Sequence, residues 1–558
     1  MVNADRPVIL HPMGESALLV EVDALEAVLR LRAQLAASAP EGVVDLVPAA
    51  RTVLVRVDPH VLALPAARAW VQRAAAADAV ARASAETDEV ELPVVYDGAD
   101  LAETAALLGV SVEALVRAHL AAAWTVAFTG FAPGFGYLVS DDWPFDVPRL
   151  DSPRTRVPAG AVGLAGRFSG AYPRETPGGW RLIGTTGAAL FDPRAASPAL
   201  LRPGARVRFA VARAPASVAA AAAPVPAEPA VPSARRQLPD ETAVSTGGLG
   251  SRMQSRGEAG AAPADADAHG PAAFEVVEPG LLATVQDLGR AGAASLGVAR
   301  SGALDRGALR TANRLVGNPE AAAAVEVTMG GLRAVARRDL WVAVAGAWGP
   351  IVLDGREVDP YLAHPWPAGT ALHLDWFGHG ARAYLAVRGG VAADQVLASR
   401  ATDLLAGLGP APLRAGDVLA VASEATAPIP PFDITPWGAP HDDEVELDLL
   451  PGPRADWFSP EAHRRLFEEV WTVTNDADRV GVRLDGPVLD RIRQGELPSE
   501  GMVPGAFQVP PTGRPTVLLA DGPVTGGYPV IAVATEAALD LLAQARPGTR
   551  IRFRHARP

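Results

Sequence analysis

The chain writes one three-part pattern twice, and that repetition constrains its fold more than any other feature. It first reads Val157-Pro158-Ala159-Gly160, then Pro177-Gly178-Gly179-Trp180-Arg181-Leu182-Ile183, then Arg202-Pro203-Gly204-Ala205-Arg206-Val207-Arg208-Phe209. Near the other end it reads Val503-Pro504-Gly505-Ala506, then Thr525-Gly526-Gly527-Tyr528-Pro529-Val530-Ile531, then Arg546-Pro547-Gly548-Thr549-Arg550-Ile551-Arg552-Phe553. Each last block is a Pro-Gly turn feeding a strand in which Arg alternates with apolar residues, so one face is wet and one buried. Each middle block is a Gly-Gly-aromatic turn, where glycine permits φ > 0 or close approach of another backbone. The same order and nearly the same spacing predict two barrel-like modules of one kind.

Between and around the modules the chain needs further domains, because 558 residues exceed a single core. The fold class expected is mainly β with α+β accessory parts. Residues 1–88 read as an N-terminal α+β domain, with helices over Ala24–Ala37 and Leu64–Ala83 and strands over Ser16–Val22 and Val43–Val57. With a strand at Glu89–Tyr96 the order is β-α-β-β-α-β, ferredoxin-like. Residues 89–212 hold the first module. Residues 213–272 are rich in Ala, Pro, Ser and Gly and read as a flexible linker. Residues 273–440 open the second half with a β-rich domain, and 441–558 hold the second module.

The formal net charge of −13 argues against nucleic acid as a partner, since phosphate binding needs a basic surface. No run of 18 apolar residues and no signal peptide is seen, so no membrane span and a cytoplasmic location are expected. The chain has no cysteine, which removes disulfides, zinc–thiolate sites and thiol nucleophiles. It also has no lysine. That excludes a Walker-type P-loop, Schiff-base chemistry and a covalently attached biotin on this chain.

The residues best suited to chemistry cluster in two places. In the second half, Gln286, Asp287, Arg290, Ser301, Asp305, Asn313 and Glu326 stand among small residues. Asp287 beside Arg290 would stay ionised and can serve as acid–base or orient an amide; a salt-bridged turn and a helix cap explain the same residues structurally. Asp305 is placed to cap a helix running to Val316. In the first half, the loop Phe131-Ala132-Pro133-Gly134-Phe135-Gly136-Tyr137 interleaves glycine with aromatics, and Arg154 and Arg156 project from one side of an extended segment. Such an Arg pair can grip a carboxylate or phosphate, or can simply be surface charge. Gly178, Gly179 and Trp180, with Gly526, Gly527 and Tyr528, complete the candidate binding set. His119 is the most prominent histidine, with catalytic and structural readings both open. His373, Asp375 and His379 would need strand and turn geometry to converge, and no metal site is predicted. Neither half alone supplies acid, base and anion-gripping groups. The active site is therefore expected between the halves, with the Phe131–Tyr137 loop and the Gln286–Arg290 turn lining one cleft.

Several of these blocks together resemble a known family pair. Residues 10–210 resemble the small B component of bacterial 5-oxoprolinase, a family also described as the first component of allophanate hydrolase. The carriers are Gly130-Phe131-Ala132-Pro133-Gly134-Phe135, Ser152 to Gly160, and Tyr172 to Trp180. Residues 274–554 resemble the C component through Thr284 to Arg290, Ser301 to Asp305, Ala312 to Asn318, Pro498-Ser499-Glu500-Gly501 and Thr525 to Pro529. The fused pair is similar to the carboxyltransferase part of urea carboxylase. The resemblance implies two cyclophilin-like β-barrel modules and an ATP-dependent opening of 5-oxoproline to glutamate. It also implies a separate A-type component of 5-oxoprolinase as partner, with ATP and Mg bound jointly with it. Its alternative is a carboxyltransferase for urea or a related amide, taking biotin from a carboxylase or carrier on another chain. A third reading is a regulatory binding protein, since relatives include a bacterial kinase inhibitor and its antagonist. Self-association into a homo-oligomer is compatible with all three. The chain departs from the resemblance at Gly522-Pro523-Val524, where Arg-Gln-Thr is usual, and at Val480 and Val482, where Met and Tyr are usual.

Overall fold

A computed structural model describes residues 8–77, 89–212, 270–423, 427–430, 438–441, 443–493, 495 and 497–557. The predicted linker lies almost wholly outside them, as does the end of the helix expected to reach Ala83. A strand, Ala272–Pro279, already begins at the predicted edge of the linker.

The chain is mainly β, and the repeated pattern is two modules with one strand order. The first sheet runs Arg181–Thr185, Ala161–Ala165, Phe168–Ala171, Gly136–Val139, Trp124–Thr129, Arg206–Val211, Glu89–Val94. The second runs Val530–Ala534, Ala506–Gln508, Thr516–Leu518, Gly481–Asp485, Trp471–Val473, Arg550–His555, Glu444–Pro451, and closes into a barrel. Position for position these are the same sheet. Each contains one parallel pair, Arg206 opposite Glu89 and Arg550 opposite Glu444. The first is drawn together by a bridge from Val95 to Thr185. The first glycine of each Gly-Gly turn sits in a crowded place rather than on a left-handed backbone. A Cβ on Gly178 would lie 2.6 Å from the Tyr172 hydroxyl, and one on Gly526 would lie 2.3 Å from Nε2 of Gln508.

The N-terminal domain corrects the ferredoxin-like expectation. An additional strand, Ile9–Pro12, pairs with Ala17–Glu21, giving a four-stranded sheet with Thr52–Val57 and Val43–Pro48. The strand at Glu89–Val94 leaves this domain and enters the first module instead. Its alternating pattern suits either sheet, so periodicity could not assign it.

In the second half, a six-stranded and a five-stranded sheet face each other across one core that includes Phe274 and Trp366. Alternation along the strand His379–Val387 decides both of its faces. Ala383, Leu385 and Val387 join that core, while Tyr384 and Ala386 meet the helix Arg306–Leu315. Asp305 caps that helix through the Ala308 N–H at 2.8 Å, as its position predicts.

The halves interlock. Met13, Leu19 and Leu54 of the N-terminal domain share a core with Met502, Val503, Leu518 and Val533 of the second module. Gly134 of the first module donates its N–H to the Leu296 carbonyl at 2.9 Å. A Cβ on Gly130 would collide with Thr525. Among the described residues no single helix is long and apolar enough to cross a membrane.

Candidate functional site

A cleft of about 870 Å³, counting its open mouth, lies where three parts of the chain meet. The N-terminal domain contributes Met13 to Ser16 and Arg56, the start of the second half contributes Arg300, Ser301, Arg306 and Arg310, and the second module contributes Val503, Pro504 and Glu536 to Asp540. A much narrower arm, of about 300 Å³ counting open solvent, continues past Arg56 and Arg300 between Met502, Val503, Leu518, Pro523 and Val524. The departing segment Gly522-Pro523-Val524 thus forms part of this arm's wall.

Four guanidiniums converge on the cleft with incomplete compensation. Arg56 reaches Asp45 at 3.4 Å, Arg306 stands 3.8 Å from Glu536, and Arg310 stands 3.8 Å from Glu320. The last two separations exceed hydrogen-bond distance. Arg300 makes no ion pair among the described residues, and its Nε is buried without a partner, as are those of Arg306 and Arg310. Burial, and then the neighbouring Arg306 and Arg56, push the Arg300 guanidinium down to about 9. An uncompensated, half-buried guanidinium favours an anion. Two acids of the cleft are engaged with backbone. Asp540 accepts from the Arg306 N–H at 2.8 Å and the Gly307 N–H at 3.2 Å, and Glu15 accepts from the Glu536 N–H at 2.7 Å.

Behind the wall runs a continuous buried network. Ser301 donates to Asp521 at 2.6 Å. Arg479 holds both oxygens of Asp521 at 3.0 Å and Glu326 at 2.6 Å. Tyr384 donates to Glu326 at 2.7 Å and accepts from the Asp305 N–H at 2.8 Å. Burial alone would lower the Arg479 pKa, but Glu326 and Asp521 outweigh it and hold the group above its ordinary value. Burial would raise Glu326, and Arg479 and Arg382 hold it below the usual carboxylate range. Asp305 is raised by burial and then by Asp540.

Two domain descriptions cover most of the chain. Carboxyltransferase domain, subdomain C and D, matches residues 8–201, and carboxyltransferase domain, subdomain A and B, matches residues 296–555. The chain is 37% identical over 285 residues to the C component of 5-oxoprolinase from Escherichia coli K12, covering 50% of this chain and 90% of that relative. It is 50% identical over 127 residues to the B component of the same enzyme from Escherichia coli O157:H7, covering 22% of this chain and 58% of that relative. This chain belongs to the carboxyltransferase-domain family of the 5-oxoprolinase B and C components. A crystal structure, TTHA0988, matches it across both halves, with a TM-score of 0.79 and 36% identity over 98% of this chain and 100% of that one.

Within this family member the predicted residues separate into three groups. Ser301 lines the cleft, with Asp305 and Glu326 behind it. Asp287, Arg290, Gln286 and Asn313 lie away from this cleft and are engaged in hydrogen bonds within the second half. Asp287 accepts from Gly289 N–H, Ser399 Oγ and Arg400 N–H at 2.7–2.8 Å, which fixes the 399–402 loop. Arg290 donates to the Val396 and Ala401 carbonyls rather than orienting Asp287. Gln286 donates to the Thr402 carbonyl and Asn313 to the Ala322 carbonyl. The Gln286–Arg290 turn therefore does not line a cleft with the Phe131–Tyr137 loop. That loop packs on 294–297, with Phe135, Tyr137 and Trp180 in one aromatic core. Phe131 and Tyr528 remain partly exposed near the seam; a Cβ on Gly179 would meet only ordinary contacts, and one on Gly527 would lie 3.3 Å from the Leu497 carbonyl.

The remaining group is spent elsewhere. Arg154 pairs with Asp100 at 2.5 Å, and the exposed Arg156 pairs with Glu175 at 2.6 Å, both within the first module. His119 is fully buried, with Tyr96 at 2.8 Å on one ring nitrogen and Ser169 at 2.8 Å on the other. Burial pushes its imidazole down to about 3, so it stays neutral and sealed from any ligand. Among the described residues no three His, Asp or Glu side chains are placed to hold a metal, and His373 simply pairs with Arg333 across a ladder. Sequence reasoning missed Arg56, Arg300, Arg306, Arg310, Arg479 and Asp540. The available signal was Arg306 and Arg310, four apart on one helix face immediately after Arg300-Ser301.

Proposed function

We propose that this chain is the fused B/C core of an ATP-dependent 5-oxoprolinase. The reaction converts 5-oxo-L-proline, ATP and water to L-glutamate, ADP and phosphate, with a separate A-type component completing the enzyme and sharing the magnesium-bound nucleotide. The observation that carries this reading is Arg300, an unpaired guanidinium at the joint of a cleft built from both halves. 5-Oxoproline is a small ring bearing one carboxylate, which such a group would hold by charge-assisted hydrogen bonds. Urea is uncharged, so its carbonyl would offer Arg300 a hydrogen bond without the added strength of an opposite charge. The resemblance to separate B and C components of one enzyme points the same way.

A second reading rests on the carboxyltransferase description of both halves. The chain would then pass a carboxyl group from biotin to urea or a related amide, with biotin carried by another chain because this one has no lysine. ATP hydrolysis by this chain plus an A-type partner decides between them. Dependence on 5-oxoproline, with glutamate formed in equal amount, is expected. Dependence on urea and a biotinylated carrier would overturn the first reading in favour of the second.

A further inference from the structure

We propose that the cleft recognises a bipolar ligand, holding its carboxylate on Arg300 and an N–H group on Asp540. This rests on the functional reading above and names how the substrate is read. Arg300 stands at the joint of the two arms and brings five N–H donors, with its Nε buried and unpartnered. Asp540 lines the wider arm. Its two oxygens each accept one backbone N–H, from Arg306 and Gly307, which leaves each oxygen a further lone pair. Those two N–H groups also hold the carboxylate in one orientation, so it is fixed before a ligand arrives. The helix that carries Asp540, Glu536–Ala543, is pinned in turn by Glu15 of the N-terminal domain. The narrow arm is apolar, with Met502, Leu518 and Val524 in its walls.

A ligand complementary to this arrangement has an apolar ring, one carboxylate and one N–H. A lactam acid has all three, and ring opening turns its N–H into an ammonium, which an aspartate holds more strongly still. A carboxylate alone would use Arg300 and leave Asp540 idle.

Calorimetric titration of the whole chain with 5-oxoproline and with cyclopentanecarboxylate tests this, because the second ligand keeps the ring and carboxylate but lacks the amide. The unmutated chain should bind 5-oxoproline more tightly. Arg300→Gln should weaken both ligands alike, by about tenfold or more, the scale of a charge-assisted hydrogen bond. Asp540→Asn should weaken 5-oxoproline by about tenfold and leave the carbocycle within about twofold. Should Asn disturb the helix caps, Asp540→Ser provides the second variant, and retained carbocycle affinity reports an intact cleft. Equal loss for both ligands in both Asp540 variants, or no change in either, would overturn the proposal. So would an unmutated chain that binds neither ligand, whereas 5-oxoproline-dependent ATP hydrolysis with the partner would still uphold the functional reading.

Discussion

Trp124 donates its indole N–H to the backbone carbonyl of His119 at 2.9 Å, and Trp471 does the same to Leu466 at 3.2 Å. The two pairs occupy matching places in the two modules, each linking the end of a helix to the first residue of a strand. One module fills the position with imidazole and the other with leucine. His119 is therefore a core residue whose polar atoms are matched by Tyr96 and Ser169.

That reading predicts the behaviour of His119→Leu. The folded imidazole is pushed down to about 3 by burial, while an unfolded histidine takes up a proton below about pH 6.5. Its contribution to stability is complete above that value and is lost as pH falls toward the folded value. The leucine variant should lose this acid-side slope, about 1.4 kcal/mol per pH unit. It should also be less stable at neutral pH, because two buried hydroxyls lose their partner. Urea unfolding across the acid range measures both, and 5-oxoproline turnover should be unchanged; loss of turnover in a folded variant would restore a chemical role.

Arg479→Met should destabilise the chain by about 3–5 kcal/mol, because it leaves Glu326 and Asp521 buried without a counter-ion. Adding Glu326→Gln and Asp521→Asn should recover much of the loss. Chemical denaturation of the single and triple variants checks this, and a single variant as stable as the parent would contradict it.

Arg300→Met should raise the melting temperature while weakening 5-oxoproline binding by about tenfold or more. The folded guanidinium is held down to about 9 by burial and by Arg306 and Arg56, so its charge opposes folding at neutral pH. That penalty disappears as pH climbs from about 9 toward the unfolded arginine value. The gain should therefore be present at neutral pH and vanish in strong alkali. A lower melting temperature would show that the side chain is supported after all.

Gly297→Ala should loosen the seam. Gly297 has φ +79°, and a Cβ there would lie 2.6 Å from the Ala132 carbonyl of the first half. Proteolysis within 213–269 should leave the parent halves associated on gel filtration, and the Gly297→Ala halves should separate. Separation of the parent halves would contradict the interlocked seam.

The two modules were legible because their repeated turns and alternating strands are local features, whereas their strand order depends on long-range pairs such as Arg206 with Glu89. The Asp305 cap was equally local. Glu89–Val94 reads two ways in the sequence, as the last strand of the N-terminal pattern and as the start of the first module, since an alternating strand does not state which sheet it joins. The partners of Asp287 and Arg290 were not legible for a related reason: a dense polar turn reads the same whatever it meets, and here it meets the 396–402 loop. The cleft itself was half legible. A site between the halves was expected from Arg154 and Arg156 facing Asp287, none of which lines this cleft; Arg56, Arg300 and Asp540 come together only through tertiary packing, which no spacing records.

A cleft with Arg56 on one half and Arg300 on the other has a consequence for dilution. Two separate chains would assemble such a site by mass action, so its population would fall as both became scarce. In one covalent chain each half meets the other at an effective concentration independent of how much protein is present. Every molecule therefore carries one complete cleft, in fixed one-to-one proportion, and only the recruitment of further chains remains sensitive to concentration.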